Sequence, residues 1–109
     1  MITIDEKVRR RDYGDILLEY VSNDRRGTPG WVENTDIQCD YIAYAVLPTS
    51  KVYLLPRREL QGAWWEHKQG WIDRYGTREA INDGYRTLNC PVPIRILYPA
   101  LGARFRGSL

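Results

Sequence analysis

Histidine occurs once in this chain, at His67, and cysteine only twice, at Cys39 and Cys90. Three such residues cannot complete a four-ligand Cys/His zinc site within one chain. Nor is a serine or cysteine nucleophile indicated for His67, so a surface or rim role is expected of it. The two thiols could make one disulfide. The N-terminus has no charged-then-apolar leader pattern, however, which argues for the cytoplasm and against an oxidising compartment. Both cysteines are expected as small, partly buried hydrophobes. No stretch approaches eighteen consecutive apolar residues, so no membrane-spanning helix is expected. Internal repeats, low-complexity tracts and linkers are missing as well. Charge of one sign is also scarce: 16 Lys and Arg against 14 Asp and Glu leave +2, too little for a global basic field.

What is present suits one globular domain over residues 1–109. A hydrophobic content of 43% can fill one core, and 28% charged residues can cover its surface. The positive charges are clustered. Lys7, Arg9, Arg10 and Arg11 run together, Arg25 and Arg26 share a loop, Arg57 and Arg58 form a pair, and Arg104 and Arg106 lie near the end.

Periodicity gives the elements. Residues 1–8 read as a strand on which Asp5 and Lys7 share one face while Glu6 points to the other. A second extended run follows Gly14, with Asp15 and Glu19 on one face and Leu17 between them. The stretch Asn23 to Gly30 is dense in turn formers. Tyr41 to Leu47 and Lys51 to Leu55 form an apolar antiparallel hairpin that Pro56 stops. Arg57 to Tyr75 is the strongest helix, with Leu60, Trp64, Trp71 and Tyr75 on one face and Gly76 at its end. Trp65 lies about 100° round the helix from Trp64, so one of the two belongs at a rim. Thr77 to Gly84 is expected as a short helix or loop. Tyr85 to Val92 is expected as an edge strand, because Pro91 and Pro93 cannot donate to a ladder. Pro93 then opens a last helix from Ile94 to Phe105. Strands followed by helices indicate an α+β fold, a mixed sheet flanked by helices.

Chemistry concentrates in the first twenty residues. Asp5, Asp15, Glu19 and Lys7, brought together from two adjacent strands, would hold a divalent cation and stabilise charge on a phosphate. Mg²⁺ needs only one or two protein carboxylates. A metal lowers the pKa of bound water and neutralises charge growing on phosphorus, and a lysine can polarise that water. Arg9, Arg10, Arg11, Arg25 and Arg26, near Tyr13 and Trp31, are candidates to follow a nucleic-acid backbone.

The series Asp5-Glu6-Lys7, then Gly14-Asp15-Ile16-Leu17-Leu18-Glu19, then Pro29-Gly30-Trp31, then Asp40-Tyr41 resembles a branch of small phage and prophage proteins. That branch belongs to the PD-(D/E)XK nuclease superfamily. The resemblance covers roughly residues 2 to 60. It implies a reduced restriction-endonuclease-like core and Mg²⁺-dependent cleavage of DNA in the bacterial cytoplasm, with Asp5, Lys7 and Glu19 catalytic. Asp5, Glu19 and Asp15 would be the metal ligands, and the protein a homodimer. The superfamily also carries a helix and an Asp-bearing strand ahead of its Asp-x-Lys strand. Only Met1 to Ile4 precede Asp5 here, so a shortened or alternatively started form is expected, or another carboxylate in place of that Asp. The alternative is a non-catalytic phage protein on the same scaffold. It would inhibit a host defence complex, in the manner of anti-CRISPR proteins, or act as a DNA-binding accessory factor.

Overall fold

The computed structural model describes the backbone of residues 1–108 and the side chains of residues 1–103. The elements are β1 (Ile4–Arg9), β2 (Asp15–Asn23), β3 (Thr28–Pro29), β4 (Tyr41–Val46), β5 (Lys51–Pro56), α1 (Arg57–Tyr75), β6 (Arg78–Ile81), β7 (Arg86–Pro93) and α2 (Ile94–Ser108). The fold is α+β. Its strands form two sheets, β1-β4-β5 and β3-β2-β7-β6. The first sheet is mixed, with β1 parallel to β4 and β4 antiparallel to β5; the second is antiparallel. The β1–β4 pair is parallel, and the crossover between its strands carries β2 and β3.

The hairpin and the main helix form as their sequences dictate. Ser50, at φ +53°, closes the β4–β5 turn and donates its N–H to the Leu47 carbonyl. The helix α1 starts after Pro56 and ends at Gly76, whose φ of +79° suits glycine and whose N–H bonds the Ile72 carbonyl at 2.8 Å. Leu60, Ala63, Trp64 and Trp71 turn inward and join Ile16, Leu18, Ile42, Leu55, Val92 and Leu97 in one core. Trp64 stacks on Tyr20 of β2 at 5.3 Å, and Trp71 lies 6.2 Å from Trp64. Thus α1 reaches β5 of the hairpin, but the ring that Trp64 stacks on belongs to the other sheet. Trp65 is the rim tryptophan, 54% exposed.

Three expectations need correction. Residues 78–81 form a strand, β6, which is exposed on both faces, with two polar residues followed by two apolar ones, and so lacks the alternation that marks strands in sequence. The proline-containing strand β7 is not an edge strand, because it lies between β2 and β6. Its prolines are accommodated by register: β6 pairs only with Arg86 to Asn89, and Pro91 and Pro93 lie beyond its end, with β2 alone beside them. Finally, β1 and β2 are not paired neighbours. They belong to different sheets. The last helix runs to Ser108 and contains Pro99. Cys39 and Cys90 are free thiols, and burial pushes Cys90 up to about 11.

Candidate functional site

The separation of β1 from β2 creates the site. Along β2, residues 15, 17 and 19 turn backbone groups toward an edge that no strand covers, since β3 pairs only from Val21 onward. Unpaired backbone groups are costly when shielded from water. Neighbouring segments satisfy them here. Leu17 faces Pro91, and its N–H donates to Tyr44 Oη of β4 at 3.2 Å. The Asp15 carbonyl accepts from Arg9 Nη1 at 3.1 Å, and the Glu19 carbonyl accepts from Val32 N–H at 3.1 Å. The two sheets are therefore joined by side chains and a loop, and a cleft of about 570 Å³ opens between them.

Asp5 and Lys7 of β1 line this cleft, with Leu17 and Glu19 of β2, Tyr44 of β4 and Asn89 of β7. Strand parity places the β1 pair: Asp5 and Lys7 share the inward face, and Lys7 Nζ meets Asp5 Oδ2 at 3.0 Å. Glu19 is half-buried, and among the described residues no ion pair reaches it. Burial pushes its carboxyl above the usual range, against the opposing pull of the Lys7 charge and the Trp31 N–H. The Tyr44 phenol is likewise raised by burial.

The loop after β3 presses on Glu19. A Cβ at Gly30 would overlap the Glu19 carbonyl and come within 2.7 Å of Glu19 Cγ, so only glycine fits. This explains the glycine of Pro29-Gly30-Trp31. The loop is also tied to α1. Gln61 donates to the carbonyls of Trp31 and Asn34, and Glu33 accepts from Trp64 Nε1 and Lys68, both at 2.7 Å.

The other candidates have different partners or positions. Asp15 is not a cleft ligand; its carboxylate pairs with the Arg9 guanidinium, and both side chains are buried. Arg9 itself lines the cleft but is only 7% exposed, its guanidinium paired with Asp15. Arg10 and Arg11 are exposed, and Arg11 Nη1 bonds Tyr13 Oη at 3.3 Å. Arg25 and Arg26 are exposed in a turn held by Asn23 Oδ1, beside Tyr85 and outside the cleft. Among the described residues no group of three His, Cys, Asp or Glu side chains is placed to hold one metal ion. Two carboxylates, Asp5 and Glu19, share the cleft. Sequence reasoning missed Tyr44 and Asn89. Their signal is faint: a tyrosine three residues after another in β4, and a polar residue within the apolar alternation of β7.

No protein-family model, curated protein or solved structure matches the chain.

Proposed function

We propose that the chain is a reduced PD-(D/E)XK-type nuclease domain of phage origin, and that the cleft between its two sheets cleaves DNA phosphodiesters with a divalent cation. The observation that carries this reading is the placement of Asp5, Lys7 and Glu19 in one cleft, although they come from strands of different sheets. The donor set fits Mg²⁺, which binds through one or two carboxylates and takes the rest of its shell from water and phosphate. When bound, the ion would supply an activated water and neutralise charge on the scissile phosphate. Asp5 and Glu19 would hold it. Lys7, fixed 3.0 Å from Asp5, would direct its ammonium at the attacking water or at the developing oxyanion. Tyr44 and Arg9 would keep the walls in place through Leu17 and Asp15.

The commitment of Asp15 to Arg9 favours a second reading, a non-catalytic binding protein, because it leaves the cleft one carboxylate poorer. Nicking of supercoiled plasmid separates the two. The nuclease reading expects nicking with Mg²⁺ or Mn²⁺ that a chelator abolishes. Asp5→Asn, Lys7→Gln and Glu19→Gln should each slow it on the order of 10²-fold. A folded protein that nicks with neither ion is a binding protein.

A further inference from the structure

Tyr13 stands before β2, and three arginines surround its exposed ring, one of which, Arg9, also lines the cleft. The Arg9 and Arg78 guanidinium carbons lie 5.2 and 5.1 Å from the ring centroid, and Arg11 bonds the phenol oxygen. The Arg9 charge is taken up by Asp15. Arg11 and Arg78 are exposed, and among the described residues neither has a carboxylate within ion-pair distance. Two unneutralised guanidinium groups are thus held on one aromatic platform. A guanidinium over a ring keeps its N–H edge free, and that edge matches phosphate oxygens. The local field is positive enough that the Arg11 hydrogen bond and charge pull the Tyr13 phenol below its usual range.

The position of Arg78 follows from register. Glu19 pairs with Asn89, and Asn89 pairs with Arg78, so the three form one row across β2, β7 and β6. Cross-strand partners share a face, and two strand spacings make the row about 10 Å long.

Resting on the nucleic-acid reading above, we propose that Arg78 and Arg11, positioned by Tyr13, bind a backbone phosphate of the nucleic-acid strand that enters the cleft at Glu19. This pair replaces Arg9 as the phosphate contact of this region.

The test is a salt titration of labelled duplex and single-stranded DNA binding, with chelator present to prevent cleavage. It uses the parent chain, Arg78→Gln, Arg11→Gln, Tyr13→Leu and, as a charge-matched control, Arg74→Gln. Arg74 is an exposed arginine on α1, set over Tyr75 at 5.8 Å. Loss of one phosphate contact should flatten the log–log slope by about 0.7 on single strands or about 0.9 on duplex. Arg78→Gln and Arg11→Gln should show this loss while Arg74→Gln keeps the parental slope. Tyr13→Leu should weaken binding several-fold with its charge unchanged. If the parent binds DNA and Arg78→Gln has the slope of Arg74→Gln, the phosphate site is wrong and the nucleic-acid reading stands. A parent that binds neither DNA overturns both.

Discussion

Glu19 is held where a charged carboxylate is least comfortable, half-buried beneath the Gly30 loop. Its folded-state pKa is raised by burial above the ordinary 4.5. A raised carboxyl favours the folded state fully only below its unfolded value, and that contribution is lost as pH rises through the folded value. At neutral pH the ionised side chain therefore costs stability. Glu19→Gln is expected to raise the melting midpoint at pH 7, with the gain shrinking as the pH is brought toward and below 4.5. Thermal melts of both proteins across that range check the sign. A Glu19→Gln protein less stable at pH 7 would mean that the carboxylate makes a stabilising contact. Asp5 and Lys7 were legible from sequence because strand parity alone puts them together. The fate of Asp15 was not, because its partner Arg9 comes from a strand of the other sheet, and no local pattern shows that crossing.

At the scale of elements, α1 was the most legible. Both of its ends carry chemical marks, Pro56 and Gly76, and its apolar residues repeat at helical spacing. The phase separates the adjacent tryptophans: Trp64 is fully buried between Tyr20 and Trp71, whereas Trp65 lies open beneath Lys68. Trp64→Ala should cost about 3–5 kcal/mol by leaving a large cavity. Trp65→Ala should stay within about 0.5 kcal/mol of the parent. Denaturant titrations of the pair measure the difference, and equal losses would show the phase to be wrong. The strands β6 and β7 were less legible. No apolar alternation marks β6, and the proline rule for β7 is obeyed locally, over Pro91 and Pro93, rather than by the strand as a whole.

Across the whole molecule the helices and the core lie on one side of the first sheet. Helix α1 packs against α2, β7 and β5, and α2 against β7. The opposite face of β1-β4-β5 is open to solvent and largely apolar. Ile4 and Val8 are 55% and 58% exposed, and Val52 and Leu54 63% and 49%. Register puts Val8 and Val52 on either side of Ala45, and Leu54 beside Ala43. A contiguous apolar face of this kind limits solubility while adding little to stability. Val52→Thr combined with Val8→Thr should leave the melting midpoint within a few degrees of the parent and raise the concentration at which the protein aggregates. Light scattering on concentration reads that outcome, and a large fall in midpoint would place these side chains in the core. Stiffness is also distributed unevenly through the molecule. Each wall of the cleft is a hydrogen-bonded ladder, but the walls meet through non-directional apolar contact and a few side-chain bonds, Tyr44 to Leu17 and Arg9 to Asp15 among them. The span of the opening is consequently the softest coordinate of the fold, and whatever seats itself between rigid walls sets the gauge.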